Sequence, residues 1–318
     1  MNLDMFRFFY VIVITALMPS CTYVPKENQK KGIEDAASTP DRMVAVFPYP
    51  EIPSVMETPE ERSDFLLSHY WDKFDFSNEA IVDGRGAEQG FVDFVYLIGY
   101  TERGKERIRG YMKHFCLLMR RNSHAVYRFY QLAEDYLYNP NSGYADEKIY
   151  GIYLEELYKV LSGNPDMRER IDERLNLINR NTCGTKAYDF FFLTFEGEKK
   201  SLYNYVPREK RILLLFYDPD CRGCKELIGR MSENDCLEQS VKKGELEVLA
   251  VCTGEDEGRW KESVSEMPIW WKVVWDITGV GANGIYDLKA LPALYLLAED
   301  KIVLMKDVSF DKLMTNVD

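Results

Sequence analysis

The chain has 318 residues, of which 46% are hydrophobic and 14% aromatic, and this composition argues against a largely disordered protein. Its length suffices for about two domains, each with its own core. The formal net charge of -12 disfavours nucleic-acid binding, which depends on Lys and Arg side chains that neutralise phosphates, so we expect no nucleic-acid partner.

An apolar run near the N-terminus predicts a signal peptide that ends at residue 21. The run extends from Phe8 to Met18 and stops at Pro19, so it is shorter than the about 20 residues that a membrane span needs. An apolar core of this length followed by small residues is typical of a secretory signal peptide. We therefore expect the mature protein to be exported.

The end of this segment, residues 1–21, resembles the lipobox of bacterial lipoproteins. Cys21 follows the small residue Ser20, although methionine and proline stand where leucine and alanine or serine are usual. The resemblance implies lipidation of Cys21 and anchoring in the periplasm, and Thr22 in place of aspartate implies the outer membrane rather than the inner one. A plain signal peptide with an incidental cysteine is the alternative.

Residues 22–58 predict a flexible, proline-containing tether. The first half is rich in charged residues, serine and threonine, whereas the second half holds Pro48, Pro50 and Pro53. Prolines fix the backbone angle φ and remove helical hydrogen bonds. No later run in the sequence is apolar and long enough for a membrane span.

Residues 59–181 predict an all-α helical bundle domain. Apolar and aromatic residues recur three and four positions apart, the spacing of one buried helix face, and turn-type clusters such as residues 139–143 separate the segments. We expect about five or six helices. The three histidines of the chain, His69, His114 and His124, show no metal-binding spacing, so we assign this domain no catalytic residue.

Residues 182–318 predict an α/β domain. Short β-rich runs alternate with helical segments, which indicates a sheet covered on both faces. Cys221 and Cys224 lie where the apolar strand of residues 211–218 ends and a helix begins. Cys221 is therefore expected at the helix N-terminus, where a thiol pKa falls from about 8.5 to as little as about 3.5–7.5. Cys224, one turn further on, should be more buried.

A Cys-x-x-Cys motif can supply half a zinc site, close a structural disulfide or exchange electrons with other disulfides. The other cysteines of this domain match no zinc-ribbon spacing, and the domain contains no histidine. The sequence favours redox exchange, in which Cys221 attacks and Cys224 resolves the mixed disulfide. A structural disulfide stays open as an alternative, and we predict no metal and no cofactor.

A Leu291-Pro292 step, followed by a strand, a turn and another strand, stands where thioredoxin folds place a cis proline before a hairpin. In this feature, in LLLFYDPDCRGCKE and in LEVLAV, the domain resembles the thioredoxin-like domains of the TlpA and ResA kind, and GTKAYDFFFLTFEGEKKSLYNY resembles their extra N-terminal hairpin. The resemblance implies a membrane-tethered periplasmic thiol-disulfide oxidoreductase. Its partners would be client proteins with thiols or disulfides and a membrane thiol donor or acceptor, and Pro292 would shape the client-binding groove.

The order of signal, helical domain and thioredoxin-like module also resembles a group of bacterial lipoproteins of unknown role, and this resemblance gives no indication of what the helical domain does. Several residues depart from the thioredoxin pattern. Asp220 replaces a tryptophan, and with Asp218 it would raise the pKa of the nearby thiol. Leu215 stands where thioredoxin has a buried aspartate that handles the proton, and Gly223 loosens the first helical turn. Glu226 could replace that aspartate, although a solvated carboxylate is the simpler interpretation.

A non-enzymatic binding lipoprotein is the alternative function, in which the helical domain holds a partner and the thioredoxin-like fold serves as scaffold. The sequence also leaves open the direction of electron flow, the oligomeric state and the redox state of four further cysteines. These are Cys116, Cys183, Cys236 and Cys252, which allow three pairings if all are bridged.

Overall fold

The first part of the described chain is helical, and the last part combines strands with helices. The computed structural model describes residues 46–207 and 211–316, which belong to a unit that runs from Val44 to Asp318. The predicted signal peptide, Cys21 and the first half of the predicted tether lie outside the described residues. Within the described ranges, no helix combines the length and the apolar character that crossing a membrane requires.

The helical domain contains seven α-helices and one π-helical turn among the described residues. In chain order they are α1 (Pro59–His69), α2 (Glu79–Val82), α3 (Arg85–Tyr100), α4 (Glu102–Met119), α5 (Ser123–Ala133), the π-helical turn (Glu134–Tyr138), α6 (Glu147–Val160) and α7 (Pro165–Ile178). Most of them follow a polar residue whose side chain caps the first turn, as Thr58 does for α1 and Asp146 for α6. The expected number of five or six helices is too low, because the four residues of α2 are too few to show a helical periodicity.

Trp71 lies at the centre of the aromatic core of this domain. Its ring stacks on Phe115 at a centroid distance of 4.5 Å and meets Phe129 edge-on at 5.2 Å. Trp71 is 1% exposed and the two phenylalanines are fully buried. Each such aromatic pair adds about 0.5–1.5 kcal/mol beyond the burial of its area. The four aromatic residues of the stretch HYWDKFDF are therefore part of the core, whereas its polar residues are exposed.

Phe47, within the predicted tether, packs on this core. It is 5% exposed, and its ring centroid lies 5.0 Å from that of Tyr70 and 5.1 Å from that of Trp71. Gly90 in α3 makes room for the ring, because a Cβ atom there would come within 2.2 Å of Phe47 Cδ2. The prediction that the free tether extends to Thr58 is therefore wrong, since the chain is already packed at Phe47. Proline content alone could not show this contact.

The α/β domain contains a seven-stranded mixed sheet in the described part of the chain. Its strands are β1 (Phe191–Thr194), β2 (Lys199–Ser201), β3 (Arg211–Tyr217), β4 (Glu247–Cys252), β5 (Lys272–Asp276), β6 (Ala293–Ala298) and β7 (Val303–Met305), and its helices are α8 (Arg222–Ser232), α9 (Asp235–Lys242), α10 (Glu257–Val264) and α11 (Phe310–Met314). The strand order is β2-β1-β5-β4-β3-β6-β7. Strands β3, β4 and β5 are parallel, β6 runs antiparallel to β3, and the β1–β2 hairpin forms one edge as expected.

Strand β3 lies inside the sheet, and its residues after Arg211 are fully buried. Leu213 and Leu215 face a core that includes side chains of α8, α9, α10 and α11, whereas Ile212 and Leu214 face the opposite side. That second side is covered by residues of irregular segments, which include Ala187, Phe190, Val280 and Tyr286. The sheet is thus covered on both faces, as the alternation of strands and helices predicts.

Two nearly buried lysines connect the two domains. The Nζ atoms of Lys289 and Lys306 lie 2.7 and 2.9 Å from the carboxylate oxygens of Glu147, the first residue of α6. The Asn181 side-chain amide, after α7, donates a hydrogen bond of 2.8 Å to the carbonyl of Ile285. The helical domain therefore holds the segment that leads into β6, and this segment carries one wall of the site described next.

Candidate functional site

A tight turn joins β3 to α8 and positions the first cysteine of the motif. Asp218 Oδ1 accepts a hydrogen bond of 2.7 Å from the N–H of Asp220, and the Asp218 carbonyl accepts one of 3.1 Å from the N–H of Cys221. The turn places Cys221 at the N-cap position, and α8 begins at Arg222. The predicted location at a helix start is confirmed.

The sulfur of Cys221 caps the first turn of α8, as a serine or aspartate oxygen usually does at a helix start. It accepts a hydrogen bond of 3.2 Å from the backbone N–H of Cys224. The N-terminal end of a helix favours negative charge, because its first N–H groups have no partner within the helix. The side chain is partly exposed, so an approaching sulfur atom can reach it.

Pro292 faces this cysteine from the start of β6. The Leu291–Pro292 peptide bond is cis, and the thiol of Cys221 donates a hydrogen bond of 3.5 Å to the carbonyl of Leu291. A Cβ atom at Gly223 would lie 3.6 Å from Pro292 Cδ, so the first turn of α8 and the proline loop touch. The structure thus brings Cys221 and Pro292 together, although they are far apart in the sequence.

Cys224 lies behind Cys221 in the first turn of α8 and is fully buried. Burial, and after it the hydrogen bond with Cys221, raise the pKa of the Cys224 thiol to about 12. Cys224 is therefore a neutral thiol at neutral pH, whereas Cys221 is the sulfur that solvent and other molecules reach. The predicted difference in burial between the two cysteines is confirmed.

Asp220, one of the two acidic residues before Cys221, is paired with an arginine. Arg259 in α10 contacts Asp220 with an N–O distance of 2.5 Å, and this hydrogen bond lowers the pKa of the Asp220 carboxyl group. Arg259 carries no local sequence signal for this role, because it lies on another helix. The compensation of Asp220 could therefore not be predicted from the motif itself.

Neither Leu215 nor Glu226 supplies the buried carboxylate that handles the proton in thioredoxin. Leu215 is fully buried in the core, so that position offers no carboxylate. Glu226 lies on the exposed side of α8, where its carboxylate is 2.8 Å from the Arg222 guanidinium. This contact supports the interpretation of Glu226 as a solvated surface residue.

The six cysteines in the described residues are all free thiols. Cys116 and Cys252 are buried, and burial raises the pKa of both thiols, that of Cys252 to about 11. Cys183 and Cys236 are exposed. Within residues 46–207 and 211–316, no group of three or more His, Cys, Asp or Glu side chains is arranged to hold a metal ion.

The helical part of the chain matches a family model. Residues 25–181 match the model described as Domain of unknown function (DUF5106). In a comparison with curated proteins, no protein matches this chain.

Solved structures of proteins from Bacteroides are similar to this chain. A thioredoxin-like protein from Bacteroides caccae is 28% identical with a TM-score of 0.72, and the match covers 85% of this chain and 97% of that protein. A conserved protein of unknown function from Bacteroides fragilis is 31% identical with a TM-score of 0.41, over 43% of this chain and 99% of that protein. A thiol-disulfide oxidoreductase from Bacteroides fragilis is 21% identical with a TM-score of 0.37, over 42% of this chain and 97% of that protein. The first similarity and the sheet described above confirm the predicted fold class, a thioredoxin-like α/β domain preceded by an all-α domain.

Proposed function

We propose that this protein is a thiol-disulfide oxidoreductase that exchanges disulfides with client proteins through Cys221 and Cys224. One observation carries the proposal. A partly exposed sulfur caps a helix opposite a cis proline, and a second, buried sulfur lies one helical turn behind it. This arrangement suits attack by Cys221 followed by resolution by Cys224.

The reaction moves two electrons from the protein dithiol to the client disulfide. The Cys221 thiolate attacks one client sulfur, a bond forms between them, and the client disulfide breaks with release of a client thiolate. Cys224 then loses its proton and attacks the sulfur of Cys221. The Cys221–Cys224 disulfide forms, the bond to the client breaks, and the second client sulfur leaves as a thiolate that takes up a proton. The same steps in reverse oxidise a client.

The surface beside Cys221 and the proline loop is the proposed docking place for the client. The cis Pro292 lies at the start of β6, so a client chain beside it can pair through main-chain hydrogen bonds as an added strand. Gly223 in α8, next to Pro292 and Cys221, presents no side chain there. A client backbone can therefore approach Cys221 closely.

We also propose that the protein is anchored in the periplasm by a lipid on Cys21, in the outer membrane rather than the inner one. The support is the sequence of residues 1–21, with an apolar core that ends at Pro-Ser-Cys. In this setting a membrane thiol donor or acceptor returns the Cys221–Cys224 pair to its starting state after each exchange. The type of domain that fits this arrangement is the membrane-tethered TlpA and ResA kind.

A redox titration tests the proposed function. We expect the Cys221–Cys224 pair of the purified protein to convert between dithiol and disulfide in glutathione buffers with a two-electron midpoint between about -270 and -120 mV. The fraction oxidised is measured by alkylation of free thiols, digestion and mass spectrometry. The Cys236→Ser variant, which lacks an exposed cysteine outside the motif, is the control and should give the same midpoint. A midpoint below about -300 mV would indicate a structural disulfide and favour a binding protein with a thioredoxin-like scaffold.

A further inference from the structure

The proline loop of the proposed site lies at the end of an irregular segment. Residues 277–292 connect β5 to β6 and contain no helix or strand. Such a segment has no regular backbone ladder, so contacts from elsewhere have to fix its position. We infer that the helical domain positions the proline loop for client docking, with Tyr138 and Glu147 as its positioning residues. This inference rests on the proposed function and gives the helical domain a part in it.

Two contacts hold the backbone of the segment. The Asn181 side-chain amide donates a hydrogen bond of 2.8 Å to the carbonyl of Ile285, and the Arg180 guanidinium donates one to the carbonyl of Gly284. Both donors lie just after α7, at the end of the helical domain. Two neighbouring carbonyls of the segment therefore have their partners in the other domain.

Tyr138 holds a buried carboxylate of the segment. Its hydroxyl, in the π-helical turn, donates a hydrogen bond to Asp287 Oδ1. Asp287 is 2% exposed, and among the described residues its second carboxylate oxygen has no hydrogen-bond donor. Loss of the Tyr138 hydroxyl would be costly, because a buried carboxylate cannot turn to water instead. Tyr138 therefore fixes the segment five residues before Pro292.

Lys289, three residues before Pro292, is held from several sides. Its Nζ atom lies 2.7 Å from a carboxylate oxygen of Glu147, 3.3 Å from one of Asp307 and 5.3 Å from the centroid of the Tyr138 ring. The Lys289 side chain is only 9% exposed, so removal of a partner would leave a buried charge poorly compensated. Tyr138 and Glu147 thus act on the same lysine.

The end of the segment contacts the proposed nucleophile. The carbonyl of Leu291 accepts a hydrogen bond of 3.5 Å from the Cys221 thiol, and Gly223 of α8 lies beside Pro292. Main-chain pairing of a client with this loop needs N–O distances of about 2.9 Å, so a small displacement of the loop weakens docking. We therefore expect the helical domain to affect client docking more than the chemistry of the sulfurs.

Tyr138→Phe tests the inference with the smallest change, because it removes one hydroxyl and keeps the ring beside Lys289. Its matched control is Tyr136→Phe. Tyr136 lies in the same π-helical turn and also donates its hydroxyl to a carboxylate, at 2.5 Å, but this carboxylate belongs to Glu88 within the helical domain. Each variant loses one hydrogen bond between a tyrosine and a carboxylate, and only Tyr138→Phe loses a contact to the segment.

Glu147→Gln is a second test variant, and Glu155→Gln is its control. Both residues lie in α6 and both pair with cations. Glu147 pairs with Lys289 of the segment, whereas Glu155 pairs with Arg109 of the helical domain at 2.5 Å. Because Tyr138→Phe and Glu147→Gln remove different contacts to the same segment, a folding defect in one leaves the other as a test.

The first measurement compares two substrates of the dithiol form, namely insulin and 2-hydroxyethyl disulfide, which has no peptide backbone to pair with the loop. For both test variants we expect the insulin concentration at half the maximal rate to rise roughly 5- to 30-fold, as for one unsatisfied buried group. The maximal rate with insulin and the rate with 2-hydroxyethyl disulfide should stay close to the wild-type values. Both controls should match the wild type with both substrates.

The second measurement is amide hydrogen exchange, which reports the position of the segment independently of activity. Exchange in residues 284–292 should be faster in Tyr138→Phe and Glu147→Gln than in the wild type and the two controls. Exchange in β3 should be the same in all of them, because β3 has no contact with the changed side chains.

The outcomes separate this inference from the proposed function. An unchanged half-saturating insulin concentration in the folded test variants, or an equal loss with both disulfides, would overturn the positioning role and leave the proposed function standing. Unchanged exchange in residues 284–292, or a control that behaves like its test variant, would overturn it as well. If the wild type reduces neither disulfide, the proposed function itself fails, and the positioning role fails with it.

Discussion

The Cys221→Ser variant is expected to lose disulfide exchange by at least about 1,000-fold, because a serine hydroxyl cannot replace the attacking thiolate. Cys221 is the sulfur that is partly exposed, whereas Cys224 is fully buried with a pKa raised to about 12, so the second cysteine cannot take over. The rate of reduction of a protein disulfide, such as that of insulin, measures the loss.

The matched control is Cys236→Ser. Cys236 is also exposed and lies in the first turn of a helix, α9, but no Cys-x-x-Cys partner or cis proline accompanies it. This variant should retain wild-type exchange. Equal loss in both variants, or exchange retained in Cys221→Ser, would contradict the assignment of Cys221 as nucleophile.

If Cys21 carries a lipid as proposed, its loss is expected to move nearly all of the protein from the membrane fraction to the soluble fraction. Each CH₂ group of an acyl chain adds about 0.8 kcal/mol of membrane affinity, so the chains on one lipidated cysteine dominate partitioning. Two variants are needed, namely Cys21→Ala and a protein whose residues 1–21 are replaced by a cleavable signal without a lipobox. Membrane fractionation and incorporation of an alkyne fatty acid measure the effect.

The second of these variants removes an ambiguity of the first. A Cys21→Ala protein can stay in the membrane through an uncleaved signal, whereas the protein with a replaced signal cannot. We expect both to lose the fatty-acid label, and the protein with the replaced signal to be released and to exchange disulfides normally. If the wild type takes up no label, or if the released form partitions like the wild type, the proposed anchor on Cys21 is wrong.

Local patterns account for the parts of the fold and site that the sequence predicts well. Helical periodicity identifies the helical domain, and the apolar run before CRGC places Cys221 at a strand-to-helix junction. The order of Leu291-Pro292 and the following strand places the proline loop. Each of these features involves only a few neighbouring residues. Each depends on local backbone preferences, which a short stretch of sequence reveals.

Contacts between distant segments could not be predicted in the same way. Phe47 packs against Gly90, and Arg259 compensates Asp220, but neither contact has a periodicity or spacing that reveals it. Residues 46–58 look like a linker because their prolines exclude a helix, yet an extended chain can still bury an aromatic ring.

Asp218 illustrates the same limit within the motif. From the sequence it is a negative charge near the nucleophile, and such a charge opposes a thiolate. Only the structure shows that its carboxylate lies beside Gly254 and that one of its oxygens holds the turn before Cys221.

Trapping of the covalent intermediate tests the central claim most directly. In the proposed reaction a client is held through a Cys221 mixed disulfide only until Cys224 attacks, so the Cys224→Ala protein should accumulate clients when it is expressed in its native compartment. We predict discrete higher-mass species on non-reducing gels that disappear with reductant and are absent from the Cys221→Ala, Cys224→Ala double variant, which retains the other cysteines. If single and double variants give the same bands, or if neither gives any while both are folded and exported, the motif does not turn over on protein disulfides and the protein is better explained as a binding protein.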